Sequence, residues 1–174
     1  QKNSGVSEAR NRGIESSTSR WIAFLDADDL WLPNHIEALL RAVQTHPEVG
    51  LVSTQYEICQ DGIRLSPRYA YSQGAICKVD DFYRRFAIGH SLVNSSTACA
   101  RRDALLSIGG FPAGVQIGED IIVWIKLVEQ FGMAHVGEVS SIWLRDAVNR
   151  STSITSVMPE SLTFLGDMLE QEGG

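Results

Sequence analysis

The chain has 174 residues, 44% hydrophobic and 21% charged, with a formal net charge of -6. That length suffices for one core and one domain, and the composition is that of a globular rather than a disordered chain. The acidic balance, with no Lys/Arg run interleaved with aromatics, argues against a nucleic-acid partner. No apolar segment reaches the roughly 18 residues needed to span a bilayer.

In chain order, "EARNRGIES" predicts a helix with Ser7 as its N-cap and Ala9, Gly13 and Ile14 toward the packed side. "WIAFL" then reads as a short buried strand. It delivers Asp26, Asp28 and Asp29 to one spot at its C-terminal end. Pro33 suits the first turn of a second helix over "NHIEALLRAVQTH", with Ile36, Leu39, Leu40 and Val43 on one face. "VGLVSTQYEI" is a further strand, and Asp61-Gly62 a turn signal. "VDDFYRRFAI" reads as helical and "SSTACARR" as a strand, and Gly109, Gly110 and Pro112 mark a loop. "EDIIVWIKLVEQFG" predicts a strong helix, with a stripe of Ile121, Trp124, Ile125 and Val128 and a stop at Gly132. The tail offers a strand around "SIWLR", a polar stretch "NRSTSITS" and an amphipathic helix over "PESLTFLGDMLEQ". Helix alternating with strand predicts an α/β domain with a mostly parallel sheet flanked by helices.

Cys59, Cys77 and Cys99 are odd in number and widely spaced. Neither a zinc knuckle nor a disulfide framework follows from them, and a reducing, cytoplasmic setting is expected.

The acidic cluster admits several readings. In open α/β sheets ligands bind beyond the carboxyl ends of the strands, where Asp26 and Asp28 fall. Two carboxylates one residue apart can present oxygens to a hard cation such as Mg²⁺ or Mn²⁺, which in turn can hold a diphosphate. An EF-hand loop from Asp26 is rejected, because Trp31 stands where its turn needs Gly. A phosphatase of the haloacid dehalogenase type shares the Asp-x-Asp after a strand. It wants Thr or Val where Leu30 stands, and its later Lys and acidic motif are not evident. The plain alternative is a solvated acidic turn at the start of the Pro33 helix.

The ordered set "NSGVSEARNRGI", "WIAFLDADDLWLP", "CARRDALLSIGGF" and "GEDIIVWIKL" resembles the inverting GT-A glycosyltransferases of family 2, over about residues 3–145. The resemblance implies a GT-A, Rossmann-like nucleotide-diphospho-sugar transferase fold. It implies a DXD motif in which Asp28 ligates Mn²⁺ or Mg²⁺ while Asp26 serves ribose or metal. Glu119-Asp120 matches the ED motif, whose Asp is the catalytic base, with Glu119 and Trp124 on the acceptor side. By the same resemblance Arg10 and Arg145 serve the donor. His90 in "GHSLVNSST" reads as structural, and the processive Q-x-x-R-W motif is absent.

The partners implied are a nucleotide-diphospho-sugar donor and a carbohydrate or lipid-linked acceptor, the latter the one route to a membrane, in cell-wall or polysaccharide biosynthesis. Family members open with a strand that cradles the nucleotide base, and none precedes Gln1. Residues 1–174 are therefore expected to form a single partial domain, the metal-binding and acceptor-side portion, apparently lacking its N-terminal strands and incompetent alone. A non-catalytic or inactive copy of the same fold is the competing expectation, with the phosphatase behind it.

Overall fold

The computed structural model describes residues 5–66, 71–87, 91–115 and 117–146. Their elements are α1 (Val6–Ser16), β1 (Trp21–Ala23), β2 (Leu30–Trp31), α2 (His35–Thr45), β3 (Leu51–Gln60), β4 (Ile63–Leu65), β5 (Ile76–Lys78), α3 (Phe82–Ala87), a 3₁₀ turn (Ser95–Thr97), β6 (Ala98–Arg101), α4 (Arg102–Ser107), α5 (Glu119–Phe131) and β7 (Met133–Leu144). His90, the "NRSTSITS" stretch and the "PESLTFLGDMLEQ" helix lie outside the described residues.

One seven-stranded sheet runs in the order β1-β6-β3-β7-β2, with β4 on β3 and β5 on β7. The α/β expectation holds, but the sheet is mixed rather than mostly parallel. Among the described residues β3 and β7 pair in parallel, while β1–β6, β3–β6, β2–β7, β3–β4 and β5–β7 are antiparallel. Short elements cause this. β6 turns at once into α4, and β2 and β5 are brief edge pieces laid on the long β7, so few right-handed crossovers are needed.

Side chains alternate across the central strands. Leu51, Ala98, Ala100 and Met133 face one core with Ile14, Leu105, Trp124, Ile125 and Leu127. Val52, Cys99 and Ala134 face the other with Ala38, Leu39 and Ala42 of α2. The β3–β4 hairpin turns on Asp61 (φ 51°) and Gly62 (φ 73°), the paired positive angles that an Asp-Gly hairpin turn requires.

Several boundaries moved. The N-cap of α1 is Gly5, while Ser7 lies inside the helix, buried, its hydroxyl without a hydrogen-bond partner among the described residues. Ile14 is packed, but Ala9 and Gly13 are exposed. The strand in "WIAFL" stops at Ala23, although Phe24 N–H still donates to Ala98 O at 3.1 Å. "SSTACARR" divides between the 3₁₀ turn and β6, and α4 follows where no element was anticipated. The "SIWLR" strand is the end of a strand that begins at Met133.

Candidate functional site

The site grows from the end of β1. Beyond Phe24 the chain leaves the sheet and closes a turn, Asp29 N–H donating to Asp26 O at 3.0 Å. Asp26 N–H donates to Ser96 Oγ at 3.1 Å, so the turn is tied to the 3₁₀ segment opposite. Asp26 and Asp28 keep partial access to solvent, while Asp29 is 8% exposed. Burial pushes the Asp29 carboxyl above its ordinary range. Hydrogen bonds from Ser96 and Leu144 pull it down, and the charges of Asp28 and Asp26 push it up again.

Arg10 of α1 joins two acids that lie far apart in the sequence. Its Nη2 donates to Asp26 Oδ1 at 2.7 Å and its Nη1 to Glu119 Oε1 at 2.8 Å. The guanidinium lies over the Phe111 ring, 5.1 Å from the centroid. α1 is pinned there by a reciprocal pair: Asn11 Nδ2 donates to Phe111 O at 2.8 Å, and Phe111 N–H donates to Asn11 Oδ1 at 2.7 Å. A side chain at Gly110 (φ 68°) would meet Asn11 Oδ1 at 2.5 Å, which is why the loop carries glycine there.

Gly118 in the left-handed conformation starts α5, and Glu119 and Asp120 occupy its first turn. The N-cap residue, Gly118, has no side chain with which to cap the helix. Asp120 Oδ1 accepts from Ile121 N–H at 2.8 Å, and Ser95 Oγ stands 3.4 Å from Oδ2. The helix dipole alone would favour a low carboxyl pKa. Burial overrides it and, with the charge of Glu119 and a weaker push from Asp26, raises Asp120 to about 6, against the pull of Arg10 and the Ile121 amide. At neutral pH the group is still mostly ionised, yet far more basic than an ordinary aspartate.

The remaining residues singled out from sequence fall as follows. Trp124 is 1% exposed and meets Phe24 and Phe111 edge to face at 5.8 Å each. It stands in the core behind Asp120, with no surface open to an acceptor. Arg145 is exposed over the Trp143 ring, its guanidinium 5.2 Å from the centroid. The preceding residue, Leu144, donates its N–H to Asp29 Oδ1 at 3.1 Å, which brings the end of β7 to the acidic turn.

Ser95 and Ser96 are contacts that the sequence reading missed, because a small polar run before a strand carries no chemistry of its own. His35 was missed as well. It is buried, stacked on Trp31 at 4.4 Å, bonded through Nδ1 to Ser140 Oγ at 2.8 Å, and lowered by burial to about 4.

Among the described residues no group of three His, Cys, Asp or Glu side chains could by itself hold a metal ion. The turn offers carboxylate oxygen alone. That donor set suits a hard cation, and Mg²⁺ ordinarily takes one or two carboxylates and completes its shell with substrate phosphates and water. The residues present fit such an ion.

Comparison with known proteins gives the chain its family and its fold. A family model described as "Glycosyl transferase family 2" matches residues 1–108. An uncharacterised glycosyltransferase of Haemophilus influenzae is 23% identical over 132 residues, covering 75% of this chain and 43% of that protein. The amylovoran biosynthesis glycosyltransferase AmsE of Erwinia amylovora is 27% identical over 129 residues, covering 74% and 46%. The chain thus spans less than half the length of these curated relatives. The crystal structure of S. aureus TarS 1-349 superposes with a TM-score of 0.63 at 15% identity, covering 83% of this chain and 42% of that one, a likeness of fold.

Proposed function

Since the chain belongs to glycosyltransferase family 2, we propose that it forms the metal and base portion of a site that moves a sugar from a nucleotide-diphospho-sugar to an acceptor hydroxyl, with inversion. The observation that carries this reading is the Arg10 bridge. One guanidinium spans Asp26, after β1, and Glu119, which opens α5 next to Asp120, so the turn assigned to the cation and the residue assigned to the proton share one wall.

Inverting transfer is a single displacement at the anomeric carbon. The acceptor oxygen forms its bond to that carbon as the bond to the diphosphate oxygen breaks, and the electron pair departs with the nucleoside diphosphate. The acceptor proton moves to a carboxylate, and Asp120 is the group assigned to take it. Its raised pKa of about 6 suits that task, because a general base works best when its pKa approaches the operating pH.

Asp28, aided by Asp26, would hold Mn²⁺ or Mg²⁺, which when bound neutralises the leaving diphosphate. Arg10 keeps Glu119 paired and its charge beside Asp26, and Arg145 is assigned to the donor phosphates. The acceptor side begins at Glu119 and Asp120, with Trp124 supporting them from the core. The acceptor we assign is a carbohydrate or lipid-linked hydroxyl, and the Erwinia amylovora relative, named for amylovoran biosynthesis, supports a biosynthetic role.

The test is calorimetry of Mn²⁺ with the chain, alone and with UDP. Asp28→Ala is expected to weaken Mn²⁺ binding by at least about tenfold, as loss of a direct ligand should. Equal affinity in the two proteins would overturn the metal assignment and favour a fold that does not catalyse.

A further inference from the structure

Asp29 is the third carboxylate of the turn, and it is occupied otherwise than its neighbours. Its Oδ2 accepts the Ser96 hydroxyl at 2.6 Å and its Oδ1 accepts Leu144 N–H at 3.1 Å. Ser96, 1% exposed, uses the same oxygen to accept Asp26 N–H at 3.1 Å, and its carbonyl accepts Trp31 Nε1 at 2.8 Å. One serine therefore grips the turn at its first residue, at its last, and just beyond it on β2. Ser96 is itself fixed, because the 3₁₀ turn is closed by reciprocal bonds between Asn94 and Thr97 at 3.0 Å each. Its neighbour Ser95 is the residue that approaches Asp120.

We propose that Ser96 and Asp29 are positioning residues: together they clamp the turn so that Asp26 and Asp28 are set for a divalent cation before it arrives, and Asp29 is not itself a ligand. The proposal rests on the metal reading above. Asp26 and Asp28 carry like charges, and a turn left to itself relaxes by spreading them. Fixing both ends removes that freedom, and partners of this outer kind typically control metal affinity by about 10–100-fold. The bond from Leu144 adds β7 to the clamp, so the turn is held both by the 3₁₀ segment and by the sheet.

Asparagine at position 29 separates clamp from ligand. Its Oδ1 can still accept Leu144 N–H and its amide can donate to Ser96 Oγ, which reverses that bond and turns the Ser96 proton elsewhere, so the turn keeps both anchors while the charge is lost.

The experiment measures Mn²⁺ affinity by calorimetry, with UDP present, for the wild-type chain and for Ser96→Ala, Asp29→Asn and Asp28→Ala, each below its own melting temperature. Ser96→Ala is expected to bind Mn²⁺ about 10–100-fold more weakly. Asp29→Asn should stay close to wild type, and Ser96→Thr, which keeps the hydroxyl, should recover most of the loss. Should Ser96→Ala fail to fold, Asp29→Ala supplies the same arm. Wild-type affinity in the variant that breaks the clamp would overturn the proposal, as would a loss in Asp29→Asn as large as in Asp28→Ala. If Asp28→Ala binds normally as well, the metal reading itself has failed. If only the clamp variant does, the metal reading stands and this inference alone falls.

Discussion

Arg10 spends both ends of its guanidinium on carboxylates, and this changes what its loss should do. Removing it leaves Glu119, 8% exposed, without its partner and Asp26 without its counter-charge. Stripping one member of a buried pair costs more than the pair contributes. Because Asp26 retains 38% side-chain exposure, Arg10→Ala is expected to cost about 2–4 kcal/mol, which urea unfolding would measure. A cost below about 0.5 kcal/mol would show that the bridge is no more than a surface pair.

Asp120 makes the opposite prediction. Its folded pKa of about 6 lies above the ordinary 3.8, so the folded chain holds the proton more tightly than the unfolded one. Stability from this group is complete below pH 3.8 and is lost as pH rises through 6. Asp120→Asn removes that loss. The variant should gain melting temperature over wild type at pH 8 and little at pH 4, and in an enzyme active in transfer the same change is expected to lower turnover by about 10²–10⁴-fold. A stability difference unchanged between the two pH values would contradict the buried-acid account.

The sequence showed that Asp26, Asp28, Glu119, Asp120 and Arg10 were worth attention. It could not show that Arg10 and Glu119 meet, because 109 positions separate them and only the fold closes the gap.

At the scale of elements, periodicity gave the helices and the packed stripe of α5, but turned α2 partly the wrong way. The stripe expected on α2 was Ile36, Leu39, Leu40 and Val43. The structure buries His35, Ala38, Leu39 and Ala42 and leaves Ile36 and Leu40 about half exposed. Small residues win because α2 lies close against the sheet beside Val52 and Ala134, where Ala38 and Ala42 fit and a larger side chain would not. Ala42→Leu is therefore expected to destabilise by about 1–3 kcal/mol. Leu40→Ser, although it removes the larger apolar group, should stay within about 0.5 kcal/mol of wild type. Reversal of that order in denaturant midpoints would mean that the exposed face of α2 is the packed one.

The start of α1 differs from the expectation for a related reason. Ser7 has the chemistry of an N-cap, but Gly5 (φ 93°), two residues earlier, makes the bend into α1, and helix ends read from local propensity shift by a residue or two. The Asp61-Gly62 turn, the Gly132 stop and the long α5 were legible because each needs only its own residues.

Across the whole molecule the lesson concerns the sheet. Alternating helix and strand suggested parallel pairing, yet sequence order does not tell how a two- or three-residue strand will pair, and most of these short pieces pair antiparallel to their neighbours. Their consequence for the site is direct. Pairing of β1 with β6 and of β2 with β7 brings the acidic turn between the Ser95–Ser96 segment and the end of β7, while α1 carries Arg10 across to α5. The central claim is that the turn after β1 and the start of α5 form one site around one cation. Paramagnetic broadening by Mn²⁺, titrated with UDP into the ¹⁵N-labelled chain, tests it most directly. The account predicts that the amide signals of residues 26–29, 95–96 and 118–121 fade together, and that Asp28→Ala restores all three sets. Broadening confined to the turn with residues 118–121 untouched, or centred elsewhere on the chain, would contradict it.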